Sequence, residues 1–334
     1  MTTPSPFDEA VRRATDTPVA PYQAACIQAA TVAFDVRRTL QKARDLVAQA
    51  AADGAKLVLL PEAFVGGYPR GADFGAVVGV RTPEGRDQFR QYFDAAIDVP
   101  GPAVEALALV AKQSAVHLVV GVIERDGLTL YCTVLFFDDE GRLTGKHRKL
   151  MPTGSERLIW GFGDGSTMPV PETPLGRLGA VICWENYMPL LRTAMYAKRV
   201  QVWCAPTADA RSTWLPTMQH IAMEGRCFVL STNQFCRRSD YPADYASLLP
   251  DDPEAVVCRG GACIVDPLGT VLAGPLWDRE GILTAEIDLA ATTRGAFDFD
   301  PVGHYARPDV FRLHVDDAEK RAVNFNGPQD EALI

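Results

Sequence analysis

Leu178-Gly179-Ala180-Val181-Ile182-Cys183-Trp184-Glu185-Asn186 changes character half-way along. The apolar run Leu178 to Ile182 reads as a buried strand. It delivers a cysteine, then a polar turn. Beyond the turn, Tyr187, Leu190, Leu191, Ala194 and Met195 recur at the spacing of an amphipathic helix, read here over 187–199. A sharp strand-to-helix turn exposes the sulfur, and a helix N-terminus favours thiolate over thiol. Most buried cysteines are inert packing, so this one gains meaning only from the rest of the chain.

Upstream, strands and helices alternate. Ala24 to Ala30 reads as a strand, and Arg38 to Ala52 as an amphipathic helix closed by Asp53-Gly54. Leu57 to Leu60 is a second buried strand with Pro61-Glu62 at its exit. After an irregular stretch from Phe64 to Phe74 come helices over 83–95 and 102–114. His117 to Glu124 and Leu130 to Asp138 pair through Asp126-Gly127. A basic ribbon follows at Arg142 to Leu150. Beyond the cysteine, strands fall at 200–205 and 228–232 and a helix at 217–225. A polar loop covers 237–257, and strands near 260–266 and 282–288 close the pattern around a Pro267-Leu268-Gly269 turn. This is an α/β protein with helices covering sheets.

The 334 residues suit one large domain, and 47% apolar content supplies a large core. A single domain over 22–311 is expected, after a Thr/Pro-rich leader at 1–21 and before a tail at 312–334. The net charge of −9 and the lack of a Lys/Arg-rich block exclude a general nucleic-acid surface. No apolar run approaches membrane-spanning length. Asp8 and Glu9 stand where a secretory signal would be apolar, so a cytoplasmic location is expected. Eight cysteines without a Cys-x-x-Cys pair, and five scattered histidines, predict no metal site.

Three ionisable residues stand at strand exits: Glu62, Lys149 and Cys183. A lone carboxylate after an apolar strand is costly unless it has a partner. A glutamate can take a thiol proton, the cysteine can attack an electrophilic carbon, and a lysine can stabilise the anion that develops. Each taken singly reads equally well as an ordinary ion-pair or core residue.

The segments Leu60-Pro61-Glu62-Ala63-Phe64, Lys146-His147-Arg148-Lys149-Leu150-Met151-Pro152-Thr153 and Cys183-Trp184-Glu185-Asn186 together resemble the three catalytic motifs of the nitrilase superfamily, in the same order. Gly66-Gly67-Tyr68-Pro69-Arg70-Gly71, Glu156-Arg157-Leu158-Ile159-Trp160-Gly161, Trp203-Cys204-Ala205-Pro206-Thr207 and Gly303-His304-Tyr305-Ala306-Arg307-Pro308-Asp309-Val310-Phe311 are similar to segments of its nitrilase branch. The motif set is similar to that of arylacetonitrilases. The resemblance runs from Ala24 to Phe311.

It implies a four-layer α-β-β-α sandwich that dimerises through helices or assembles further, and no cofactor. It implies Cys183 as nucleophile, Glu62 as general base, Lys149 as electrostatic stabiliser and Glu156 as a glutamate that positions the lysine or an intermediate. The expected activity is hydrolysis of a nitrile to a carboxylic acid and ammonia. Tyr68, Tyr131, Trp160, Trp184 and Asn186 are candidates to line the pocket, and their aromatic rings suit an aryl or arylalkyl nitrile. Packing explains such aromatics equally well, Trp160 above all. Phe162 departs from the family pattern, standing where many relatives carry glutamate. The tail is short beside those that support spiral assemblies in the family. Two alternatives stand: an amidase or carbamoylase using the same three residues, and a non-catalytic ligand-binding or assembly protein.

Overall fold

The computed structural model describes residues 19–245 and 247–323. Most of the expected leader and the end of the tail lie outside the described residues. In chain order come β1 (Tyr22–Gln28), α1 (Val36–Ala52), β2 (Ala55–Leu59), a small hairpin of β3 (Ala76–Val77) and β4 (Val80–Arg81), α2 (Pro83–Asp94) and β5 (Ile97–Asp98). Then follow α3 (Pro102–Ser114), β6 (His117–Asp126), β7 (Thr129–Phe137) and β8 (Leu143–Arg148). After a long connection come β9 (Glu172–Thr173), β10 (Gly176–Ala180), α4 (Pro189–Ala197), β11 (Val202–Pro206), α5 (Trp214–Gly225) and β12 (Phe228–Thr232). The last elements are β13 (Phe235–Arg237), β14 (Val256–Val265), β15 (Val271–Trp277), β16 (Gly281–Ile287) and α6 (Ala290–Gly295).

Two sheets form. The first has the order β16-β1-β2-β6-β7-β8 with β5 beside β6; the second has β13-β14-β12-β11-β10-β9 with β15 beside β14. The centre of each is parallel, β1-β2-β6 in one and β10-β11-β12 in the other. Strands buried on both faces need apolar residues at every position, and the alternation divides them between layers. Ala24 and Cys26 of β1 face the second sheet, while Ala25 and Ile27 face α1 and α3. Val202 and Cys204 of β11 face the first sheet, while Trp203 and Ala205 face α4 and α5. The result is the four-layer α-β-β-α sandwich.

Helix α1 starts where the Asp35 side chain accepts from the Arg38 N–H at 2.9 Å, and it buries Ala43, Val47 and Ala50 on one stripe. The sheets are also tied to each other by polar contacts. Gln28 accepts at Oε1 from the N–H groups of Gly261 and Ala262, at 2.8 and 2.9 Å, and Thr232 donates to the Ile27 carbonyl at 2.6 Å. All eight cysteines are buried and free. No helix among the described residues is long and apolar enough to cross a membrane.

Three expectations are corrected. The helix read over 187–199 is split: Cys183–Tyr187 is a 3-10 turn, and α4 begins only at Pro189, which suits a first helical position because it lacks an N–H. The polar loop at 237–257 ends in the first residues of the ten-residue β14. The stretch after Pro267-Leu268-Gly269 holds a further strand, β15.

Candidate active site

Glu62, Lys149 and Cys183 meet between the sheets. The first two come from the first sheet and the cysteine from the second. Glu62 follows β2 on backbone that lies flat against β6. A Cβ on Gly121 would stand 2.3 Å from the Pro61 carbonyl oxygen and 2.7 Å from Glu62 Cα, so this approach requires glycine. Gln234 holds the Glu62 carbonyl at 3.1 Å.

Lys149 ends β8. Its N–H donates to the Cys132 carbonyl at 2.8 Å and its carbonyl accepts from Gly163 N–H at 2.8 Å, so the backbone is held on both sides. Its side chain is completely buried, and Nζ donates to Glu62 Oε1 at 2.7 Å and to Glu156 Oε2 at 2.8 Å. Glu156 sits in the 3-10 turn Gly154–Leu158, where Oε2 also takes the Thr153 N–H at 2.6 Å. One ammonium therefore stands between two carboxylates.

Cys183 lies just past β10 in a left-handed conformation, φ 51°. That conformation costs a non-glycine residue about 1 kcal/mol or more, and neighbours hold it there. Asn186 donates to the carbonyls of Val181 and Cys183 at 3.0 and 2.8 Å and accepts from the Trp203 indole at 2.8 Å. The Thr207 hydroxyl lies 3.1 Å from the sulfur.

The electrostatics overturn one expectation. In place of the thiolate expected at a helix N-terminus, burial, and next the Glu62 charge, push the Cys183 thiol up to about 12. Burial likewise raises the Glu62 carboxyl, with Glu156 adding to the rise and Lys149 opposing it. Lys149 is held well above its ordinary value: burial disfavours its charge, but the surrounding groups, the Glu62 carboxylate above all, outweigh that. Oε1 of Glu62 takes the Lys149 ammonium and, at 3.5 Å, the Cys132 thiol. Oε2 is buried without a hydrogen bond of ordinary geometry, although the Cys183 thiol is close enough to favour the carboxylate. The arrangement combines a nucleophile whose thiol form is favoured, a buried carboxylate beside it, and a fixed cation.

The pocket candidates separate. Tyr68 donates to Glu156 Oε1 at 2.7 Å and meets Trp160 edge-on. Trp160 is buried, lies 5.4 Å from Lys149 Nζ and donates to the Tyr92 hydroxyl. Both adjoin the catalytic cluster. Tyr131 instead lies under the Arg148 guanidinium, and with Phe162 it lines a separate surface groove of about 1040 Å³ that also touches the tail at Lys320 and Arg321. Trp184 is half-exposed, its indole held by Asp209 and its ring covered by Arg211. The Asn186 amide is fully occupied in bracing the cysteine turn.

Thr207, whose hydroxyl touches the sulfur, has no role assigned from the sequence, while Cys132, expected with Tyr131 near the pocket, touches the Glu62 carboxylate. Register identifies the first. Ala180 of β10 pairs with Cys204 of β11, and three residues further on each parallel strand stand Cys183 and Thr207.

The sequence profile of the carbon-nitrogen hydrolase family matches residues 23–296. A bifunctional nitrilase/nitrile hydratase of Nicotiana tabacum is 56% identical over 314 residues, covering 93% of this chain and 90% of that protein. An aliphatic nitrilase of Sinorhizobium fredii is 58% identical over 302 residues, covering 90% of this chain and 98% of that one. A carbon-nitrogen hydrolase from Helicobacter pylori superposes with a TM-score of 0.69 at 22% identity, over 88% of this chain and 97% of that one.

Proposed function

The chain belongs to the carbon-nitrogen hydrolase family, on its nitrilase branch, and from that premise we propose that Cys183, Glu62 and Lys149 convert a nitrile to its carboxylic acid and ammonia. The observation that supports this reading is the buried Glu62 carboxylate, which takes the Lys149 ammonium at 2.7 Å and also interacts with the Cys183 thiol.

A resting thiol attacks only as its proton leaves. Glu62, whose raised pKa suits proton exchange, takes that proton as the sulfur bonds to the nitrile carbon. The nitrogen is protonated through Glu62 or Lys149, giving a thioimidate. Water surrenders a proton to Glu62 as it adds to the same carbon. The tetrahedral intermediate expels ammonia and becomes an acyl-thioester, which a second water cleaves to the acid, restoring the thiol. Lys149 stabilises charge throughout, and Glu156 orients its ammonium. The Trp184 N–H supplies a further donor to the developing anion.

If the tetrahedral intermediate expels the thiol instead, an amide leaves, and the bifunctional plant relative favours a measurable amide fraction. For the substrate, Tyr68 and Trp160 beside the cluster support an aryl or arylalkyl nitrile. The aliphatic relative supports a second reading, an aliphatic nitrile. We further propose assembly through α4 and α5, on which Leu190 and Met223 stand exposed.

The test is ammonia release from phenylacetonitrile, mandelonitrile, benzonitrile, an aliphatic dinitrile and the matching amides, with Cys183→Ala alongside. Ammonia from nitriles but not amides, abolished in the variant, is expected. Turnover of amides alone would move the protein to the amidase side. A fully active Cys183→Ala would sink the mechanism.

A further inference from the structure

Behind the site, one side chain joins the two sheets. Glu185 lies two residues beyond Cys183, in the turn after β10, and it is buried. Its Oε1 accepts from the N–H of Leu150, the residue after Lys149, at 2.5 Å. Oε2 accepts from the N–H of Ile182, the residue before Cys183, at 2.8 Å. Oε2 also lies 3.0 Å from Nε2 of buried His147, two residues before Lys149, whose Nδ1 lies 2.6 Å from the Thr167 carbonyl oxygen.

These partners bias the protonation of the ring. The Thr167 carbonyl only accepts, so Nδ1 donates to it, and the facing Glu185 favours a second proton on Nε2 and with it the charged ring. Burial and Lys198 act against that charge; Glu185 and the Thr167 carbonyl outweigh them and hold the pKa above the ordinary histidine value. A buried ion pair carries a desolvation cost and is weak support for stability by itself. Its placement gives it another use. Asn186, next along the chain, serves its own turn and its neighbour Trp203. Glu185 instead crosses from the second sheet to the first, beside both reacting groups.

We infer that Glu185 and His147 are positioning residues, clamping the backbone around Lys149 to the backbone around Cys183 and so setting the distance between ammonium and sulfur. The inference rests on the roles proposed for those two groups. A misplacement of about 1 Å in such a site costs on the order of 100-fold in rate.

Glu185→Gln keeps the size of the side chain and removes its charge; His147→Gln removes the cation. In each, kcat is expected to fall about tenfold or more while KM changes less than about twofold. Alkylation of Cys183 by iodoacetamide, followed by mass spectrometry and run well below the thermal midpoint that the broken buried pair lowers, is expected to slow by a similar factor. Glu254→Gln removes another ion-paired glutamate, bound to Arg237 at the surface, and is expected to alter neither readout. Folded variants with wild-type kcat and alkylation rates overturn the inference. So do losses that merely follow the thermal midpoint, and so does failure of both variants to fold, since each marks a scaffold role. Alkylation needs no nitrile. A wild type that alkylates at Cys183 yet releases no ammonia defeats the proposed function, while the variants still decide the clamp.

Discussion

Glu62 and Glu124 are both carried by the first sheet, and each is only 1% exposed. Around Glu124, on β6, donors fill both oxygens: Thr133 at 2.9 Å, Lys146 at 2.6 Å, and Arg148 at 2.9 and 2.6 Å. Burial works against its charge, yet the Arg148 and Lys146 cations hold the carboxyl below the ordinary range. Around Glu62 the donors crowd one oxygen, and burial raises the carboxyl. Burial alone therefore does not make a carboxylate reactive. The partners decide: two cations hold Glu124 charged, whereas one ammonium shared with Glu156 leaves Glu62 able to take up a proton.

The contrast should show first in rate. Glu62→Gln is expected to lower kcat/KM by about 1000-fold or more, the range for losing a general base, with a thermal midpoint unchanged or raised. In Glu124→Gln, kcat/KM should stay within a few-fold; equal losses in the two would erase the distinction. Gly121→Ala comes next. Its methyl must push Glu62 away, so kcat is expected to fall on the order of 100-fold with little change in KM, as single-substrate kinetics would read.

Stability reverses the order. Glu124→Gln leaves Lys146 and Arg148 partly unpaired, and discounting for their exposure, a loss of about 2 kcal/mol in urea unfolding is expected. The folded pKa of Glu124 lies below its unfolded value. Its stabilising share is present above the unfolded pKa and disappears as pH falls through the folded one, so variant and wild type should converge in acid. Glu62 has the opposite sign: its raised pKa costs stability above that pKa, and acid relieves the cost. The smallest effect concerns the pH–rate profile. Glu156 helps raise the Glu62 carboxyl, so Glu156→Gln should move the ascending limb of kcat/KM to lower pH, besides lowering its height. A limb that stays put would remove Glu156 from that electrostatic role.

Much of this was legible in the chain. Leu57 to Leu60 and Leu178 to Ile182 announced their strands, and the residues just beyond, Glu62 and Cys183, stand where the two sheets bring strand ends together. The ribbon Lys146-His147-Arg148-Lys149 was harder. The chain shows a basic ribbon with Lys149 at its exit, but not that Lys146 and Arg148 serve Glu124 while His147 and Lys149 are buried; only the acidic partners distinguish them. Strand β15 was hidden by Gly274-Pro275, which look like a turn but are tolerated at a sheet rim where the missing N–H is not needed. The resting state of Cys183 was also out of reach, since it depends on burial and on Glu62, and strand periodicity reports neither.

The eight buried, free cysteines give the molecule an internal clock. Cys183 and its neighbour Cys132 border the catalytic cluster and the other six do not, so a thiol reagent should meet at most two fast sulfurs and six slow ones. The slow labelling can proceed only as the sandwich opens, so its rate counts opening events while the fast phase counts competent active sites. One time course then separates molecules that have lost chemistry from molecules that have lost their fold.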